Sequence, residues 1–199
     1  MSTRSRRTFH ELVTLPDGAV PLAETALLLA CEEYPQLEIS PYLDKLDEIA
    51  GLVQPKLNSR NSPLETIETI NDVLFGVMGF RGNTENYNDP RNSFFNDVLE
   101  RRVGIPITLS AVYLEVARRV SFPIVGVGMP GHFLVKYVDR WNAVKGDGLR
   151  VDFWLRILKF HLRFKLSRQL RNAFLSRARD RLVGRDLHHV QAKAVLQGL

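Results

Sequence analysis

Residues 128–137 contain a histidine at the start of an apolar run, a setting in which a histidine can be a catalytic base. His132 follows a Pro-Gly turn and begins the apolar run HFLVKY, which predicts a β-strand. Upstream, residues 104–108 begin a predicted helix, and downstream Asp152 lies in a predicted strand. Cysteine hydrolases and acyltransferases need a nucleophile at a helix N-terminus, an imidazole that takes its proton, and a carboxylate or amide that orients the imidazole. The order of these residues is suggestive of nucleophilic catalysis but has low specificity.

A structural role is the alternative for each of these residue types. His132 could close its turn through a hydrogen bond to the backbone. The one cysteine of the chain, Cys31, lies on the apolar stripe of an early helix and is predicted to pack in the core. His188 and His189 would point about 100° apart on a helix, so they would chelate a metal ion poorly. We therefore predict no metal site and no cofactor.

The composition is that of an ordinary globular protein. The 199 residues are 45% hydrophobic and 25% charged, which suits one compact domain with a core. A single cysteine excludes an internal disulfide and a cysteine-based zinc cluster, and it fits a reducing compartment. The longest apolar run, ALLLAC, is far shorter than the roughly 20 residues of a transmembrane helix. We predict a cytoplasmic protein, with organellar targeting by the basic, Ser/Thr-rich N-terminus as the alternative.

Positive charge is concentrated near the C-terminal end of the sequence. Residues 1–140 hold 14 Lys and Arg against 18 Asp and Glu, whereas residues 141–199 hold 13 against 4. The run 155–166 fits both a strand and a helix, and its Leu and Arg content favours a helix. Three roles follow for the basic segment: packing on the body, binding a partner protein or an anionic membrane surface, and binding nucleic acid. The sequence contains no recognisable nucleic-acid module, which disfavours the last.

The first 80 residues predict a small helical bundle. One helix follows Pro21, a second begins at Ser40-Pro41, and a third begins at Ser62-Pro63. In the second and third, the serine is predicted as the N-cap and the proline occupies the first helical position. Apolar residues recur at helical spacing in all three segments, so each helix has one face to bury.

The following residues predict a helix beside a small sheet. The polar segment 81–92 is rich in turn formers and predicts a loop that cannot enter the core. Ser93 is expected to cap a short helix, and a longer helix begins near Pro106. Two strands around the Pro-Gly turn and a third at 149–153 then predict an antiparallel sheet. The fold class is α+β: an N-terminal helical bundle, a central helix on a small antiparallel sheet, and a basic, helical C-terminal tail.

The blocks NSFFNDVLERRVGIPITLS and PGHFLVKY, within residues 89–137, closely resemble the SirB family of transglutaminase-like proteins. The resemblance covers roughly residues 20–138. It implies a papain- or transglutaminase-like α+β fold, often followed by tetratricopeptide-type helices, and it brings no settled biochemical activity with it. The resemblance further implies that His132 matches the transglutaminase-type histidine. Asp152, in the context VDFW, matches the aspartate of the next strand.

The same resemblance places the nucleophilic cysteine at the start of the helix, between Pro106 and Thr108, where this chain has none. Thr108 or Ser110 could stand in, but a hydroxyl is a poorer nucleophile than a thiol. The two lie about 200° apart on a helix, so at most one can face His132. The family's Pro-Phe-Asn-Gly-Gly-like turn is also missing after Asp152. The sequence favours a pseudoenzyme over a retained active site.

The sequence thus leads to three functional hypotheses. The first is a non-catalytic transglutaminase-like scaffold or regulatory domain whose partner is another protein. The second is a hydrolase or acyltransferase that uses Thr108 or Ser110 with His132 and Asp152. The third is a regulator that binds polyanions through residues 153–199. The expected organisation is a flexible tail at 1–18, a SirB-type domain at 19–152 and a basic segment at 153–199.

Overall fold

The computed structural model describes residues 3–16, 18–129 and 132–138, and this part of the protein is rich in helix with two small sheets. Within it the helices are α1 (Thr3–Val13), α2 (Leu22–Ala30), α3 (Ser40–Val53), α4 (Pro63–Asn71), α5 (Phe95–Arg101) and α6 (Pro106–Arg119). The strands are β1 (Arg81–Gly82), β2 (Val103–Gly104), β3 (Ile124–Met129) and β4 (His132–Tyr137). Short 3₁₀ turns cover Gln54–Lys56 and Pro90–Asn92, and a π-helical turn (Asp72–Val77) continues α4. This mixture is consistent with the predicted α+β class.

Helix α6 is the centre of the described fold. It packs against α2, α3, α4 and α5 on one side and against β3 and β4 on the other. Its inward positions are apolar and at most 3% exposed: Leu109, Val112, Val116 and Ala117. Burial of apolar surface contributes about 25 cal/mol per Å² to the stability of the folded state. The apolar face of α6 therefore stabilises the packing of the surrounding helices and of the β3–β4 hairpin. The predicted packing of the long helix against a β-hairpin is present.

A buried carboxylate joins α6 to the helices around it. Glu115 is 2% exposed and accepts a hydrogen bond from the Ala23 N–H at the start of α2, at 3.3 Å. It also pairs with Arg118 and Arg119, and Arg119 reaches Asp47 of α3. An unpaired charge in the core would cost several kcal/mol, so these partners are what allow a carboxylate at this depth.

The serine caps expected from the sequence are only partly present. Ser62 caps α4: it accepts from the Glu65 N–H, and the Glu65 carboxylate accepts from the Ser62 N–H in return. The predictions for Ser40 and Ser93 are wrong, because α3 already includes Ser40 and α5 begins two residues after Ser93. Of the three serines, only Ser62 is followed three positions later by a glutamate, which completes the capping box.

The N-terminal segment, expected to be a flexible tail, forms α1 and packs against α2. Arg6 makes a two-pronged pair with Glu32 after α2, from Nε to Oε1 at 3.0 Å and from Nη2 to Oε2 at 2.9 Å. Arg6 and Glu32 are 26 positions apart in the sequence, so local sequence patterns do not predict their contact.

Strands β3 and β4 form the predicted antiparallel hairpin, with Ile124 opposite Tyr137 and Met129 opposite His132. The Tyr137 ring stacks on Phe122, with 5.0 Å between ring centroids. The two-residue strands β1 and β2 pair in parallel. The predicted third strand at 149–153 and the basic segment 153–199 lie outside the described residues.

Gly104 of β2 offers a test of how tightly the start of α6 is packed. A Cβ at this position would lie 2.8 Å from the Thr108 hydroxyl oxygen and 3.0 Å from both Val98 methyl carbons. We expect Gly104→Ala to lower the free energy of unfolding in urea by about 1–3 kcal/mol, because such overpacking forces its neighbours to shift. In the control Gly51→Ala, nothing lies within 4 Å of the new Cβ, and alanine within a helix stabilises by about 0.5–1 kcal/mol. Equal stability of the two variants would contradict the close packing.

Candidate functional site

The start of α6, where the resemblance described above predicts a thiol that the sequence lacks, is held by the hydroxyl of Thr108. This hydroxyl lies 2.7 Å from the Asn92 carbonyl and 3.0 Å from the Ile105 carbonyl, to which it can donate. It accepts a hydrogen bond from the Ile105 N–H at 3.2 Å. Thr108 is 9% exposed. Its oxygen therefore links the first turn of α6 to the loop that precedes α5.

Asn92 is the residue to which that link runs, and it is 1% exposed. Its side-chain Nδ2 donates to the carbonyls of Asn86 at 2.9 Å and Tyr87 at 3.1 Å, and its Oδ1 accepts from Asn83 at 3.0 Å. The backbone of the 83–92 loop is thus folded around one amide. Most of segment 81–92 is exposed, as expected for a loop, but Asp89 and Asn92 are buried, and the Asn92 amide satisfies polar groups that would otherwise need water.

Asp89 of the same loop is buried between two guanidinium groups. Arg91 contacts it with a fork, Nε to Oδ1 at 3.1 Å and Nη2 to Oδ2 at 2.9 Å, and Arg101 Nη2 reaches the same Oδ2 at 3.1 Å. The hydrogen bonds from Arg91 are the main reason that the pKa of Asp89 lies below its usual value. The run DPRN favours loop capping and salt bridging by Asp89, Arg91 and Asn92 over a pocket lining, and the ion pair of Asp89 with Arg91 confirms the salt bridge.

A second polar contact lies next to this cluster. The Tyr34 hydroxyl donates to Asp97 Oδ2 at 2.6 Å, and the Phe94 ring meets the Tyr34 ring edge to face at 5.5 Å between centroids. The hydrogen bond to Asp97, assisted by burial, raises the pKa of Tyr34 to about 12. This contact joins the segment after α2 to α5 and was not anticipated from the sequence.

Ser110, the second candidate nucleophile, is 5% exposed in the second turn of α6. Within the described part of the chain, its hydroxyl makes no hydrogen bond. One turn further on, Tyr113 is 3% exposed, and its buried hydroxyl likewise has no partner among the described residues. Burial raises the pKa of Tyr113 far above its usual value, so this phenol stays protonated.

His132 and Asp152 complete the set of predicted site residues. His132 is the first residue of β4, and this strand packs against α6. The backbone therefore brings the element carrying the histidine to the helix carrying Thr108 and Ser110. The His132 side chain and the whole of Asp152 lie outside what the structure describes, so the catalytic roles of all four residues stay predictions.

Neither a metal cluster nor a membrane-spanning helix is found where the structure describes the chain. No group of three or more His, Cys, Asp or Glu residues in that part could hold a metal ion. Among the same residues, no helix is long and apolar enough to cross a membrane.

The geometry of a central helix packed on a hairpin agrees with comparisons to known proteins. A family model described as transglutaminase-like superfamily matches residues 40–185, and the chain belongs to this superfamily. A UPF0162 protein of Xylella fastidiosa is 42% identical over 135 residues, which is 64% of this chain and 46% of that protein. The chain thus spans about half the length of the curated relatives it matches.

Two further proteins are similar to part of this chain. A UPF0162 protein of Pseudomonas aeruginosa is 34% identical over 58% of this chain and 42% of its own length. F-box only protein 21 of Mus musculus is 40% identical over 37% of this chain, which is 12% of that protein. No solved structure matches the chain.

The bonding of Thr108 predicts how two substitutions differ. We expect Thr108→Val, which keeps the shape but removes the hydroxyl, to lower the free energy of unfolding by about 1–3 kcal/mol, because buried backbone groups lose a partner. Thr108→Ser keeps the oxygen and should retain most of this stability. Urea unfolding followed by circular dichroism measures both. A valine variant as stable as the wild type would show that the hydroxyl does not hold the start of α6.

The Tyr34–Asp97 contact predicts a dependence of stability on alkaline pH. A tyrosine whose pKa is raised on folding contributes stability that is complete below pH 10 and is lost as the pH rises through about 12. We therefore expect the difference in unfolding free energy between wild type and Tyr34→Phe to shrink between pH 10 and 12. Urea unfolding of both proteins across this range measures it. A difference that stays constant would contradict the raised pKa.

Proposed function

We propose that this chain is a non-catalytic transglutaminase-like domain of the SirB type that acts as a scaffold or interaction module for another protein. The observation that carries the proposal is the Thr108 hydroxyl, which stands at the helix start expected to hold a thiol and is occupied by backbone hydrogen bonds. A position that supplies a nucleophile in an enzyme here stabilises a loop.

The chemistry of this hydroxyl supports the proposal. A threonine nucleophile needs a base that takes its proton, and the base must lie within hydrogen-bond reach. The proton of Thr108 is instead directed at a carbonyl oxygen, of Asn92 or of Ile105, and neither can act as a base. Freeing the hydroxyl would leave the Ile105 N–H and the Asn92 carbonyl with only their long hydrogen bond to each other, at 3.4 Å, in place of the shorter bonds to Thr108.

The comparisons support a module that is used in different settings. Similar segments occur in UPF0162 proteins, where they make up less than half of the length, and in F-box only protein 21, where they make up 12%. Because one fold can serve different functions in different proteins, this recurrence fits a module that contributes binding in several settings.

Ser110 favours one competing function, a Ser-His-Asp hydrolase or acyltransferase. Its hydroxyl makes no hydrogen bond within the described residues, and it lies on the helix that packs against the strand of His132. Against this, Ser110 is 5% exposed, so a substrate would need an opening into the core before it could be attacked.

A covalent probe separates the two functions. We expect a fluorophosphonate to leave the full chain unlabelled, and we expect turnover of p-nitrophenyl acetate to equal that of His132→Ala, because no activated hydroxyl is available. Intact-protein mass spectrometry and absorbance measure the two quantities, and Ser110→Ala and Thr108→Ser serve as matched controls. Labelling of the wild type that disappears in Ser110→Ala would establish the hydrolase and overturn the scaffold.

A further inference from the structure

Three side chains of types that dominate protein interfaces are exposed close to the start of α6. We call them the loop–helix surface: Tyr87 and Arg91 of the 83–92 loop and Ile107 of α6. The residues Tyr87 and Ile107 are 44% and 51% exposed, and the Arg91 side chain is 59% exposed. Tyrosine and arginine are enriched among the residues that carry most of the binding energy of an interface.

Hydrogen bonds to one buried residue bring the backbones of these three residues close together. The Asn92 side chain donates to the Tyr87 carbonyl, and the Asn92 carbonyl accepts from Thr108, the residue after Ile107. Arg91 directly precedes Asn92. The Tyr87 backbone is therefore held by the Asn92 side chain, and the start of α6 is held by the Asn92 backbone carbonyl.

Internal hydrogen bonds hold the loop backbone and the Arg91 side chain of this surface. Asn92 holds the loop through its amide, and the fork of Arg91 on Asp89 fixes the guanidinium plane. Immobilising a long side chain on binding costs conformational entropy, and a side chain that is already held avoids part of that cost. A pre-organised arginine beside apolar groups is therefore a favourable anchor.

The charges around Arg91 indicate what it can recognise. Asp89 is shared by Arg91 and Arg101, and Asp97, the other nearby carboxylate, accepts the Tyr34 hydroxyl. Within the described residues, Nη1 of Arg91 makes no hydrogen bond, so this edge of the guanidinium can still donate. A carboxylate is the group that such an edge binds best.

We propose that the loop–helix surface is the docking site of the partner, and that it binds a protein segment presenting an aspartate or glutamate next to an apolar side chain. The carboxylate meets Arg91, and the apolar side chain packs against Ile107 and Tyr87. This inference rests on the proposed interaction function and names the surface that would perform it.

A peptide selection tests this docking site on the full chain. The probe is a phage-displayed library of random 12-residue peptides, and enriched sequences are synthesised with a fluorophore and titrated by fluorescence anisotropy. We expect enriched peptides to contain Asp or Glu beside Leu, Ile, Val or Phe. Arg91→Ala should weaken their binding about tenfold or more, and Ile107→Ala about threefold or more.

Two control variants match these substitutions in chemistry and exposure. Arg6 forms the same two-pronged contact with Glu32 that Arg91 forms with Asp89, and its side chain is 66% exposed. Leu29 of α2 is 55% exposed, close to the value for Ile107. Arg6→Ala and Leu29→Ala should bind the peptides within about twofold of the wild type, and circular dichroism checks that all four variants are folded.

The outcomes separate this inference from the function on which it rests. Peptides that bind equally well to Arg91→Ala and Ile107→Ala would overturn the docking site while the interaction function stands. A library that enriches no peptide, or only peptides without Asp or Glu, would overturn the docking site as well. The interaction function is tested separately by the fluorophosphonate experiment, whose readout does not depend on peptides. Labelling of the wild type that disappears in Ser110→Ala would overturn that function.

Discussion

The hydrogen bonds of Asn92 are the constraint on which the surrounding structure depends. One buried side chain satisfies two carbonyls and an amide of its own loop, and its backbone carbonyl accepts from the start of α6. A loop this polar would otherwise remain in water, since each unsatisfied buried group costs about 1–3 kcal/mol. Its attachment gives α6 a fixed starting point, and α6 in turn positions the layers that pack on both of its sides.

This constraint also determines what chemistry the start of α6 can support. Catalytic sites keep polar groups partly unsatisfied or strained until substrate arrives, and the rest of the protein compensates for that. Thr108 shows the reverse condition, with its oxygen bonded on both the donor and the acceptor side. The same position in the fold can thus serve catalysis or stability, depending on whether its side chain is free.

Patterns local to the sequence predicted the fold better than the site. The helices that begin at Pro63 and Pro106 and the hairpin β3–β4 follow from periodicity, proline position and a turn. The predicted caps at Ser40 and Ser93 are absent because α3 already includes Ser40 and α5 begins two residues after Ser93. The placement of Thr108 at the helix start was also predictable, but its partner lies 16 residues away, and no local rule connects a threonine to that carbonyl.

The distribution of unsatisfied groups adds a last argument about where function resides. In the described residues, the buried polar atoms that lack a partner include Asn96 Oδ1 and Arg101 Nη1, both on α5. Buried unsatisfied groups are uncommon, and each calls for a physical explanation. Arg101 also shares Asp89 with Arg91, whereas the other two unpartnered atoms among the described residues, Thr25 Oγ1 and Tyr113 Oη, lie on α2 and α6. The Thr108 hydroxyl at the start of α6 is satisfied internally, and the group of this region that is exposed is the Arg91 guanidinium, which belongs to the loop–helix surface.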